Sequence, residues 1–268
     1  MRSTIDLPTR RALHMSSVEL GECSADAAAT VIEAVSYTHA MLQAFGEGIW
    51  FVDGPTVSFY GFPYPTRMAV VRLPDRTLWV WSPTEINDEL GAEINRLGQV
   101  RELVAPNKLH HLFLDQWIAR YPDARVYAPP GLAKRRPDLR FAAELDDTPR
   151  AEWQGAIEHV VVRGSFAMDE AVFFHVASGT ALVGDLIQKH DRDAFTRWRG
   201  LVMQLDGMVG PDGSTPREWR ATFLRRKQAR ACLDRILDWN PTRLILAHGP
   251  VFTHDAREVI ASSLAWMR

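Results

Sequence analysis

The sequence predicts an α/β sandwich, two mixed sheets packed face to face with helices outside. Short apolar runs rich in Val, Ile, Phe and Trp recur along the chain and read as strands. In each half, closely spaced runs come first and imply antiparallel pairing. Alternating strands and helices come later and imply parallel neighbours. No linker rich in Gly or Ser divides the halves, so one domain over residues 48–268 is expected.

Taken in order, residues 1–23 read as an N-terminal tail. Ser24 caps a helix over 25–45, whose Ala28, Val31, Ile32, Val35, Met41, Leu42 and Phe45 share a face. This helical extension, residues 24–47, would pack on the domain or mediate a homodimer. Residues 49–52 and 57–60 form two strands ended by Asp53-Gly54-Pro55 and by Gly61-Phe62-Pro63-Tyr64-Pro65. Residues 68–73 and 77–81 flank Pro74-Asp75-Arg76 as a hairpin. Pro83 opens a helix that Gly98 ends.

A strand over 100–105, a helix to about Tyr121, a strand over 125–128 and a short helix after Pro129-Pro130-Gly131 follow. Residues 136–155, polar and dotted with proline, form a surface connection. Strands are expected over 157–162, 171–175 and 180–184. A flap over 189–217 then carries its own helix and a glycine-rich turn. One long helix over 217–239, a strand over 243–247 and a helix over 255–266 complete the chain.

Composition excludes several functions. The formal net charge is -2, so nothing global draws the chain to nucleic acid or an anionic membrane. The arginines between 217 and 235 read as a solvated helix face paired with Glu218, Asp234 and Asp238. No apolar run approaches the roughly 18–20 residues of a membrane span. No secretory signal is seen, so the cytoplasm is the expected compartment. Cys23 and Cys232 are expected as reduced thiols.

Chemistry is expected where strands end. His110 and His111 stand between the strand over 100–105 and its helix. Asp185 and His248 each follow an apolar strand. Imidazole and carboxylate are the usual ligands of zinc, iron or manganese, and sheet geometry would converge these groups. Asn107 is a candidate for capping the following helix or contacting a substrate. His175 would face the site from the preceding strand or lie under the sheet. Tyr60, Phe62, Tyr64 and Trp81 line a pocket or pack in the core.

These stretches carry a resemblance. The segment Asn107 to His111, the strand end Leu182-Val183-Gly184-Asp185-Leu186 and the strand end Leu246-Ala247-His248-Gly249 resemble the metallo-β-lactamase superfamily over residues 48–254. Gly61-Phe62-Pro63-Tyr64-Pro65-Thr66-Arg67-Met68 and Ala105-Pro106-Asn107-Lys108-Leu109-His110-His111 look like an uncharacterised branch of it, known as a domain of unknown function. The resemblance implies an αββα sandwich and metal-activated hydrolysis of esters, amides, thioesters or phosphodiesters.

The superfamily's first metal motif, His-x-His-x-Asp-His, is altered. With its last pair set on His110-His111, the earlier histidines fall on Pro106 and Lys108. Its next histidine falls near Arg163-Gly164-Ser165. An alternative alignment moves the histidines by a position or two. Carried over by position, one metal's ligands become His110, His111, Asp185 and His248. Lys108 would supply charge where the second ion is missing.

The expectation is a hydrolase with one divalent ion, zinc or iron or manganese, acting on a small-molecule ester, amide or phosphoester. Asp185, His110 and Lys108 would be catalytic, and Asn107 and His175 would contact substrate. The alternative is a non-catalytic ligand- or partner-binding protein that kept the fold and lost the ion.

Overall fold

The computed structural model describes residues 41–59, 61–191, 197–209 and 213–268. The N-terminal tail, most of the helix expected over 25–45, Tyr60 and part of the glycine-rich turn lie outside the described residues. The end of that expected helix is instead a strand, β1 (Gln43–Gly46), paired antiparallel with β2 (Ile49–Phe59).

The larger sheet continues through β3 (Phe62–Arg72), β4 (Leu78–Trp81), β5 (Val100–Val104), β6 (Arg125–Ala128) and β7 (Ala143–Glu144), in that spatial order. β1 to β4 run antiparallel, and β4 to β7 run parallel. The second sheet has the order β12 (Val251–Phe252), β11 (Arg243–Leu246), β10 (Thr180–Val183), β9 (Glu170–His175) and β8 (Ile157–Val162). Only β10 and β11 are parallel there. Both sheets are therefore mixed, as the apolar runs implied.

Alternation along the strands builds the layers. Phe51, Val71, Trp79, Trp81 and Val104 of the first sheet meet Val161, Ala171, Phe173, Leu182 and Ile245 of the second between the sheets. Their neighbours Met68, Val70, Leu78, Val80 and Leu103 point outward, under α1 (Asp88–Leu97) and α2 (Leu114–Arg120). On the far side Val172, Ala181, Val183, Leu244 and Leu246 lie under α6 (Arg226–Asp238) and α7 (Ala256–Ser263). The layer order is helix, sheet, sheet, helix. Trp79 and Trp81 are fully buried. Each removes roughly 200 Å² from water, about 5 kcal/mol before chain entropy is charged against it. Shorter helices are α3 (Leu132–Arg135), α4 (Arg197–Leu205) and α5 (Arg217–Arg220).

Several boundaries differ from expectation. Residues 62–65 are strand rather than turn: Pro63 pairs with Ser58 and Pro65 with Thr56. β4 pairs only with Ala69–Arg72, so the first half of β3 has one free edge, where proline's missing N–H costs no ladder bond. The helix expected from Pro83 starts at Asp88, because Asn87 is the cap: its side chain accepts the N–H of Leu90 at 2.8 Å. The single helix expected over 217–239 is broken between α5 and α6. Thr222 there donates its hydroxyl to the carbonyl of Trp219, and Phe223 forms a bridge with Ser165. Arg235 of α6 pairs with Asp147 at 3.2 Å.

Candidate metal centre

One edge of the sandwich collects the carboxyl ends of β4, β5, β10 and β11. Ser82 follows β4, His110 follows β5, Asp185 follows β10 and His248 follows β11. The first half of β3 runs to the same edge, being antiparallel to β4. Backbone pairing thus brings to one place groups separated by up to 166 positions in the chain.

His110, Asp185 and His248 each turn one ligand-type atom toward a common point, all within 4.8 Å of one another. His248 Nε2 lies 3.2 Å from Asp185 Oδ1, and His110 Nε2 lies 3.3 Å from Oδ2. The outer nitrogens are held as well. His248 Nδ1 donates to the carbonyl of Pro65 at 2.7 Å, and His110 Nδ1 is 2.7 Å from the hydroxyl of Ser82. A carbonyl only accepts, so His248 Nδ1 carries a proton, and Nε2 is the ring nitrogen turned toward Asp185. His110 Nε2 is buried and has no well-aligned hydrogen-bond partner among the described residues.

Asp185 is fixed from behind. Asn107 Nδ2 donates to its Oδ2 at 2.9 Å and to Glu170 Oε2 at 2.8 Å, and Gln188 Nε2 donates to its Oδ1 at 3.0 Å. Glu170, fully buried, accepts the backbone N–H groups of Gly184 at 2.9 Å, of Asp185 at 2.8 Å and of Leu186 at 3.2 Å. Burial would raise the Asp185 carboxyl, but the imidazoles of His110 and His248 outweigh it and hold it well below the usual range. Glu170 is pushed upward, first by burial and then by the charge of Asp185.

The other expected residues lie elsewhere. His111 is not brought to this group: Arg136 Nη1 donates to its Nδ1 at 3.2 Å. Residues 108–113 form tight turns, with the His111 N–H on the carbonyl of Leu109 at 2.9 Å, and the two imidazoles have separate partners. Burial, then Arg135 and Arg136, push His111 down to about 4, so it is neutral. Lys108 donates its ammonium to the carbonyl of Ala167. His175 pairs with Thr180, at the start of β10. Asp185 is five positions further on, about 16 Å along the strand direction. His175 hydrogen-bonds Ser178 at 2.8 Å, so it serves the opposite edge. Asn107 is fully buried and its Oδ1 accepts the N–H of Leu109 at 2.8 Å: it braces the centre rather than meeting a substrate.

Sequence reasoning missed Ser82, Glu170 and Gln188. Ser82 follows a strand as the others do, and the same strand-tip rule would have found it. It sits in the left-handed region at φ 50°, an uncommon conformation for a side-chain-bearing residue. Glu170 opens a strand and carries no sequence signal of its role.

A cleft of about 850 Å³, counted out to its open mouth, adjoins the triad. Val57, Phe59, Leu112, Phe113, Met168 and Trp219 give it an apolar wall. Met203 of α4 and Met208 after it pack on Phe62 and on Tyr64, a lining residue. Tyr64 lines the cleft with its ring edge-on to His190 and to His248, both at 5.4 Å. Burial, then the charge of Asp185, raises its phenol, which stays an O–H donor at neutral pH. Burial pushes His190 down to about 4.

The two mixed sheets, their outer helices and the cluster at the strand ends define a metallo-β-lactamase fold. A metallo-β-lactamase from Pontibacter korlensis matches with a TM-score of 0.58 at 12% identity, covering 85% of this chain and 99% of that one. The DIM-1 metallo-β-lactamase exposed to ceftazidime matches at 0.59 and 13%, covering 86% and 99%. FIM-1 from Pseudomonas aeruginosa in its mono-zinc form matches at 0.57 and 15%, covering 86% and 95%. At such identities the likeness speaks for the fold alone. The chain belongs to the family described as a domain of unknown function (DUF4336), whose model matches residues 47–195, more than half of it. No curated protein sequence matches.

Proposed function

We propose that the chain is a metal-dependent hydrolase with a mononuclear centre of His110, Asp185 and His248, acting on a small ester, amide or phosphoester. One observation carries this reading. With Nδ1 of His248 committed to a carbonyl, its Nε2 faces a carboxylate oxygen 3.2 Å away. His110 Nε2, buried and without a hydrogen-bond partner among the described residues, faces the same carboxylate, so three ligand-type atoms converge on one point that a cation would fill. Two imidazoles and one carboxylate suit zinc, or iron and manganese. The braces on each ligand are those that metal sites use to orient their ligands. The mono-zinc form of FIM-1 is a precedent for one ion in this fold.

When bound, such an ion supplies Lewis acidity that activates water near pH 7 and polarises the scissile group. Asp185 holds its orientation through Asn107 and Gln188. Tyr64 offers an O–H donor to a substrate oxygen, and the apolar wall limits water around the reacting bond.

Elemental analysis of the full chain purified without chelator tests the reading. Near one equivalent of metal, lost in a folded His110→Ala, His248→Ala double variant, supports it. No metal after incubation with zinc, iron(II) or manganese rejects it and leaves a binding protein.

A further inference from the structure

We infer that the cleft takes a neutral carboxylic ester with an apolar acyl group, and that Glu218 at its mouth selects against anionic substrates. The chemistry rests on the hydrolase reading above; the selectivity rests on the cleft wall. Among the described residues lining the cleft there is no Lys or Arg, and the acids are Asp185 and Glu218. Lys189, Arg217 and Arg220, next to lining residues in sequence, do not themselves line it, and three further cations are engaged. Arg67 pairs with Asp53 at 2.7 Å, Lys108 donates to Ala167 and Arg136 pairs with Asp138 at 2.8 Å. A distal carboxylate or phosphate would enter this cleft without a partner and against a like charge, which is costly.

Glu218 lies on α5 between Arg217 and the wall residue Trp219. It lines the same cleft as Tyr64, Asp185 and His248, so a substrate bound there meets both carboxylates. The apolar wall, from Val57 to Trp219, fits an aliphatic or aromatic chain. In the reaction the acyl carbon–oxygen bond breaks and a water oxygen forms the new bond. One water proton goes to the departing alkoxide and the other to solvent as the acid ionises. The product is an anion, so the carboxylate that discourages anionic substrates also favours its departure.

The test compares p-nitrophenyl hexanoate with the mono-p-nitrophenyl ester of adipic acid, of matched chain and with a distal carboxylate, on the full metal-loaded chain at pH 8. Hexanophenone and 5-benzoylpentanoate, which cannot be hydrolysed, are titrated in parallel by calorimetry. The neutral member of each pair is expected to be preferred about tenfold, the size of one like-charge contact in a partly solvated site. Glu218→Gln should narrow the preference and Glu218→Lys should abolish or reverse it. If neither ester is cleaved but hexanophenone still binds tenfold better, the selectivity stands and the hydrolase reading falls. Equal or better handling of the anions by the unaltered chain, no binding of either ketone up to millimolar concentration, or a preference unmoved in Glu218→Lys overturns the inference.

Discussion

The carboxylate of Glu170 accepts the backbone N–H of Asp185 at 2.8 Å, with both groups buried. One strand's first residue thereby clamps the turn that ends its neighbour. Every donor given to Glu170 needs an acceptor: backbone N–H groups from Gly184, Asp185 and Leu186, and the amide of Asn107. Glu170→Gln would set an NH₂ group against those donors in a fully buried site. It should cost about 2–4 kcal/mol in urea denaturation and lower metal content at limiting metal.

Gly184 is the residue that lets the clamp close. A Cβ there would sit 3.0 Å from Glu170 Oε2 and 3.3 Å from Oε1. Gly184→Ala should destabilise the chain by about 1–3 kcal/mol, seen as a lower urea midpoint. A midpoint unchanged from the parent would mean that the turn and Glu170 give way freely.

Ser82 orients His110 through a 2.7 Å hydrogen bond. Ser82→Ala keeps the ligand and removes its guide, so metal affinity should fall by about tenfold or more while the fold persists. Competition with a chromogenic chelator measures it.

His111 and Lys108 make their contacts with Arg136 and Ala167 instead of the triad. His111→Ala and Lys108→Met should each retain the metal content of the parent, read by elemental analysis. Loss of metal in either would return that residue to the ligand set.

His175 is pushed from 6.5 down to about 4 by burial. Its folded form is the neutral one, so the contribution is complete above the unfolded value near 6.5. As pH falls the unfolded chain takes up the proton first, and stability is lost progressively down to about pH 4. His175→Asn should lose less stability over that window than the parent, by roughly 2–3 kcal/mol, in urea titrations at fixed pH.

The sequence by itself determined the layers and the strand tips. Period-two alternation in runs such as Met68-Ala69-Val70-Val71 and Leu78-Trp79-Val80-Trp81 partitions side chains between two cores, and that is a local property. Asp185 and His248 were legible because each polar residue closes an apolar run. Only the tertiary structure decided which of two adjacent histidines faces inward. They sit in tight turns between β5 and α2, and neither composition nor spacing sets how that backbone aims each side chain. Tertiary structure alone also exposed Glu170 and Gln188, whose roles exist only once β9, β10 and the turn after β5 share an edge. His175 shows the same limit in reverse: its place late in the strand before Asp185 allows it in sequence either the site or a position under the sheet. Antiparallel pairing carries it to the far end.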